Sequence, residues 1–171
     1  MGVTVLVAHF IGNHDKDTLS VRLGWRLTRL VQFGPFKHVT HSEAILQELA
    51  NGCLVIASAS VRDGGVRQKI TRLNPDNWLI IDVPSWDVQK SRDWFADPAN
   101  EALPYSWGGA ARAGLPFLPG GKGVFCNESV GKPHMIDSSQ YTPSEFASIC
   151  FDFGTDVTAE FFQRCKERQT Q

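Results

Sequence analysis

Close cysteine pairs are missing from this chain. Its four cysteines, Cys53, Cys126, Cys150 and Cys165, are scattered and form no CxxC. That argues against a secreted disulfide framework and matches the pattern of reduced intracellular thiols. A surplus of charge is missing too. Seventeen Lys and Arg against eighteen Asp and Glu leave a net charge of −1, too little to attract nucleic acid or an anionic membrane. No stretch approaches the roughly 18 consecutive apolar residues of a membrane span. The start, Met1 to His9, lacks the basic segment and long apolar core of a signal peptide. Leu6 stands where a myristoylation signal needs Ser or Thr. There is no HExxH and no clustered Cys/His pattern, so neither a metal nor another cofactor is expected. Repeats and low-complexity tracts are also lacking.

What the chain does have is the material of a globular core: 42% apolar residues, with five Trp and eleven Phe. A length of 171 residues is that of one domain, 1–171, able to bury about two-thirds of its unfolded surface. Val3 to Phe10 reads as a buried strand. Thr18 caps a helix running to about Gln32, with Leu19, Leu23, Leu27 and Leu30 as its apolar stripe. Arg22, Arg26 and Arg29 fall on another face and read as solvated. Thr40 to Leu49 and Cys53 to Ser60 are strands joined by Asn51-Gly52, a strong hairpin signal. Val66 to Arg72 and Trp78 to Val83 follow, making an antiparallel meander behind the first strand and helix. After Pro84 helices take over: Asp87 to Asp97 (closed by Pro98), Trp107 to Ala113, Cys126 onward, Pro143 to Cys150 and Val157 to Glu167. Strands grouped first and helices after them imply an α+β fold.

Cys126 is the residue with the clearest chemical setting. It follows a Gly/Pro-rich loop, Gly114 to Gly123, and opens a helix. The positive end of a helix dipole favours thiolate over thiol, and the N–H groups of a first turn can stabilise an oxyanion. A buried core thiol is the plain alternative. His41, in the alternating segment His41-Ser42-Glu43-Ala44-Ile45-Leu46, is the candidate general base and acid. Its alternative is a strand histidine satisfied by the backbone. His38 is three residues away, an odd spacing that points it to the opposite strand face and weakens a His38/His41 metal site. Glu43 shares a strand face with His41. Arg62, beside the Asp63-Gly64-Gly65 turn, reads as a solvated turn residue that could otherwise hold a substrate carboxylate.

Four segments carry a family resemblance: Thr40-His41-Ser42-Glu43-Ala44-Ile45, Ser58 to Val66, Tyr105-Ser106-Trp107-Gly108-Gly109 and Phe125-Cys126-Asn127-Glu128-Ser129. In this order they resemble the NlpC/P60 superfamily in its circularly permuted, papain-like branch, closest to the small bacterial and phage YiiX/YebB-like cysteine hydrolases. The histidine strand preceding the cysteine helix is the permuted order. The resemblance implies a papain-like half-barrel or meander packed against helices. It also implies a cysteine peptidase or amidase in which the Cys126 thiolate attacks an amide, as in a cell-wall peptide, and His41 moves the proton. By position on the next strand, Ser58 is the third catalytic member, with Glu43 its rival. Tyr105, Trp107 and Glu43 are the expected substrate-binding residues. Ser106 departs from the family, which often has Asp there.

Two other functions stay open. The same Cys–His pair can serve a thioesterase or acyltransferase acting on lipid or thioester substrates, which an apolar tunnel beside Cys126 would favour over a polar groove. A catalytically inactive binding module is the other. The expected partner is a peptide or acyl substrate, and the expected location is the cytoplasm (the host cytoplasm, if phage-encoded).

Overall fold

The computed structural model describes residues 4–12, 22, 26, 32, 34–115 and 117–170. The helix expected over Thr18–Gln32 lies outside the described residues except at Arg22, Arg26 and Gln32, and the two arginines are helical. The architecture is α+β. Strands β1 (Thr4–Phe10), β2 (His41–Glu48), β3 (Leu54–Ser60), β4 (Gly65–Thr71), β5 (Trp78–Asp87) and β6 (Thr155–Asp156) form one open antiparallel sheet in the order β4-β3-β2-β1-β5-β6. The described helices are α1 (Val88–Ala96), α2 (Pro98–Glu101), α3 (Trp107–Gly114), α4 (Cys126–Gly131), α5 (Pro143–Asp152) and α6 (Thr158–Gln169).

The expected meander holds for β2, β3 and β4 only. β5 does not continue it but crosses to the far side of β1, which lies inside the sheet rather than in front of it. The composition of β1 and β5 explains this placement. Val5 and Val7 of β1 and Ile81 and Val83 of β5 pack on one side with Phe95, Val130 and Phe146 from the helices. Ala8 and Ile80 pack on the other side with Phe161 and Cys165 of α6. A strand covered on both faces needs a near-continuous apolar run, and such strands belong inside a sheet.

Helix starts are set by local chemistry. Asp87 accepts the Gln89 N–H at 2.8 Å to begin α1. Asp97 accepts the Ala99 N–H, so Pro98, expected only to close α1, opens α2. Thr142 and Glu145 form a reciprocal capping box before α5, with Pro143 in its first turn.

Candidate active site

The site forms where the sheet opens. β2 and β3 pair as far as Ala44 and Ala57. Beyond that point β2 stays with β1 out to the His41–Phe10 pair, and β3 stays with β4 out to Ser60–Gly65. Two serines satisfy backbone groups at the parting. The Ser58 hydroxyl donates to the Ser42 carbonyl at 2.8 Å, and the Ala59 N–H donates to Ser129 Oγ of α4 at 2.8 Å. Ser129 Oγ in turn donates to the Cys126 carbonyl at 2.8 Å. Helix α4 is thereby pinned against both β2 and β3, which sets its first residue beside His41. Ser129→Ala leaves the buried Ala59 N–H without its partner. The expected cost is about 1–3 kcal/mol, read from urea unfolding, and Ser129→Thr recovers part of it.

The loop before Cys126 is stitched from the other side. Tyr105 N–H donates to the Gly64 carbonyl at 2.9 Å, Ser106 N–H to Val124 at 2.9 Å, and Val124 N–H to Pro104 at 3.1 Å. Residues 104–106 thus tie the β3–β4 turn to the cysteine loop. Ser106 is buried and caps α3, its hydroxyl accepting the Gly109 N–H at 2.9 Å. Ser is among the strong helix N-cap residues, which suits Ser106 to this place.

Cys126 is 1% exposed and packs with Phe125 and Ala113, flanked by Tyr105 and Ala110. Its sulfur donates to the Asn127 side-chain oxygen at 3.4 Å and is hydrogen-bonded to His41. The Asn127 amide is anchored to the Tyr141 carbonyl at 3.0 Å. On its other side, His41 Nε2–H donates to Glu43 Oε1 at 3.0 Å, leaving Nδ1 to serve the sulfur. Glu43 is 2% exposed and is held by a two-pronged clamp from Arg67, at 2.7 and 2.6 Å. Arg67 Nε donates to Asp63 at 2.7 Å across the Gly64-Gly65 turn. The result is a continuous chain, Cys126–His41–Glu43–Arg67–Asp63.

Electrostatics follow from the chain. Burial opposes a charged His41 ring, but the bonds to Cys126 and Glu43 outweigh it and raise its pKa to about 9. Burial likewise opposes the Glu43 carboxylate, yet His41 and Arg67 bring its pKa down to about 2. Burial, with Cys126 nearby, pushes the Tyr105 phenol well above its ordinary value.

The expected third member changes. The Ser58 hydroxyl is engaged by the Ser42 and Ala59 carbonyls, and the group on the imidazole is Glu43. Glu43, expected also among the substrate-binding residues, is held by His41 and Arg67 and lines a cleft beside His41. Tyr105 lies against Cys126, while Trp107, 55% exposed, meets it edge to face at 5.5 Å. His38 is in an exposed turn before β2, so a strand-face argument does not apply to it. Cys150 and Cys165 are buried, and burial raises both thiols. All four cysteines are free.

Two residues escaped the sequence reading. Arg67 reaches Glu43 across the width of β3, and its only local signal was Asp63 four residues earlier. His9 is fully buried, its Nδ1 2.9 Å from Ser42 Oγ and its Nε2 without a hydrogen-bond partner among the described residues. Burial and the nearby His41 lower its pKa to about 3, so it is neutral. The period-two alternation from Val5 and Val7 already placed His9 on a core face.

Beside His41 lies a small cleft of about 80 Å³, lined by Phe10, Trp78, Glu43, Arg62, Arg67 and Lys69 among others. Among the described residues no group of three or more His, Cys, Asp or Glu is placed to hold a metal ion, and no helix is long and apolar enough to cross a membrane. No family model, curated protein or solved structure matches the chain.

Proposed function

We propose that this protein is a cysteine hydrolase of permuted papain-like type that cleaves an amide bond. The observation that carries the reading is the His41 imidazole, bonded on one side to Cys126 and on the other to a buried, Arg67-clamped carboxylate. Nucleophile, base and orienting group are the three parts of a thiol hydrolase. The Cys126 sulfur, its proton passed to His41, attacks the carbonyl. The Cys126 N–H helps hold the oxyanion, and His41 returns the proton to the leaving amine as the C–N bond breaks. Water then attacks the thioester, and Cys126 leaves as thiol. The mixed lining of the cleft, cationic and aromatic, favours a peptide-like substrate over a lipid chain. The histidine strand ahead of the cysteine helix supports the permuted arrangement.

One observation favours the non-catalytic module, namely the 1% exposure of Cys126 beneath Tyr105, Ala110 and Ala113. Under the hydrolase reading, α3 moves aside for substrate. Alkylation by iodoacetamide decides between them, followed on the Cys126 peptide by mass spectrometry. The expected result is reaction at pH 6 in native protein, slowed on the order of 100-fold in His41→Ala, because a free thiol of pKa about 8.5 is scarcely ionised there. If Cys126 instead reacts only as fast as the protein unfolds, or titrates as a free thiol, the module reading replaces the enzyme.

A further inference from the structure

Cys126 is closed off by a helix that has little to hold it there. Of the residues of α3, Ala113 is the one that is buried. Among the described elements its main neighbour is the short turn Ser138–Gln140. An element that buries so little apolar surface belongs to the parts of a fold that open most readily. At its start α3 is tied down twice. The Ser106 N–H donates to the Val124 carbonyl at 2.9 Å, and the Ser106 hydroxyl accepts the Gly109 N–H at 2.9 Å. These bonds make Ser106 the fixed end.

The contact that keeps α3 down is between two glycines. A Cβ built on Gly108 would lie 2.8 Å from Gly121 N and 2.9 Å from Gly121 Cα. The first turn of α3 therefore rests on the backbone of the loop that leads to Cys126, at a separation that leaves no room for a side chain. The approach is as tight from the loop. A Cβ on Gly121 would lie 2.6 Å from Ser106 Oγ and 3.1 Å from Gly108 N. With both glycines in place, Tyr105, Ala110 and Ala113 close over Cys126 and leave it 1% exposed. A thiol so covered reacts only in the fraction of molecules whose cover is off.

We infer that α3 is an autoinhibitory lid, shut by the Gly108–Gly121 contact and pivoting at Ser106, so that Cys126 is reached only when the helix lifts as a unit. The inference rests on the hydrolase reading for what the lid withholds, whereas closure itself is measurable on the thiol without turnover.

The test is Gly108→Ala. The added methyl overlaps Gly121 only when α3 is down, and Ala suits a helix better than Gly, so the closed form alone is disfavoured. The rate of Cys126 alkylation by iodoacetamide at pH 6 should rise about tenfold, the effect of an overlap of this size on the closed form. The bulkier N-phenylmaleimide should gain by the same factor, because the whole helix moves. Gly120→Ala is the control in the same loop. Its added Cβ meets only the flexible Arg112 side chain, at 3.3 and 3.9 Å, and the rate should not change. Cys150, fully buried in the core, reports unfolding in the same digest and should stay unmodified. An unchanged or slower rate in Gly108→Ala, an equal gain in Gly120→Ala, a gain confined to iodoacetamide, or labelling of Cys150 in step with Cys126 would overturn the lid. The two readings fail separately. A faster rate in Gly108→Ala that climbs with pH like a free thiol of pKa about 8.5 keeps the lid and sinks the hydrolase. Rapid reaction at pH 6 in the parent, unchanged in Gly108→Ala, keeps the hydrolase and sinks the lid.

Discussion

Arg67→Met is expected to destabilise the protein by about 3–5 kcal/mol at pH 6, the typical cost of leaving one member of a buried ion pair without its partner. Glu43 is 2% exposed and Arg67 only 12%, so water replaces little of the lost clamp. The loss has a pH signature that a packing defect lacks. Glu43 has a folded pKa of about 2 against an ordinary value of 4.5. A lowered pKa contributes stability that is present above pH 4.5 and is lost as the pH falls toward 2. Removing Arg67 lets the Glu43 pKa climb back, which flattens this acid limb. Parent and variant should therefore differ most at pH 5–6 and converge toward pH 2–3 in urea unfolding. His41 runs the other way. Its raised pKa of about 9 contributes stability present below 6.5 and lost as the pH rises through 9. That alkaline limb should survive Arg67→Met, because Cys126 and Glu43 both remain. The double variant Arg67→Met/Glu43→Leu should recover much of the stability, since removing both charges removes the burial cost of each. A uniform loss at every pH, unrelieved in the double variant, would show that Arg67 acts through packing alone.

The parts of this site legible in the sequence are those encoded locally. Cys126 stood out because a Gly/Pro-rich loop runs into a helix, and His41 because its segment alternates. The partner of the imidazole was harder to read. The family resemblance pointed to the next strand and, by position, to Ser58, but β2 and β3 part after Ala44 and Ala57, and Ser58 satisfies the Ser42 carbonyl there. Glu43, two residues from His41 and on its strand face, was already in view as the rival. Arg67 had no such signal, because its bond to Glu43 joins strands separated by β3. The place of β1 inside the sheet was hidden for a related reason. Its apolar run Val5-Leu6-Val7-Ala8 fits a strand buried on both faces, but it does not name the neighbours that β5 and β2 turned out to be.

Gly123→Ala tests how far Cys126 depends on the loop that carries it. Gly123 has φ +91°, where any other residue is strained, and an added Cβ would overlap the Pro104 carbonyl oxygen. That carbonyl is the acceptor for Val124 N–H, two residues before Cys126. Strain of about 1–3 kcal/mol from the backbone adds to about 1–3 kcal/mol from the overlap. Gly64 supplies the control. It also has positive φ, +80°, but an added Cβ there meets nothing within 4 Å. Gly64→Ala should therefore carry the backbone cost alone, about 1 kcal/mol, and leave the Cys126 alkylation rate at pH 6 unchanged. Gly123→Ala should lose about 2–6 kcal/mol and most of that low-pH reactivity, because relieving the overlap shifts the Pro104–Val124 bridge and moves Cys126 off His41. Equal effects of the two substitutions would mean that the Pro104 contact does not position the cysteine. The reactivity would then depend on α4 and its Ser129 anchor, without the loop.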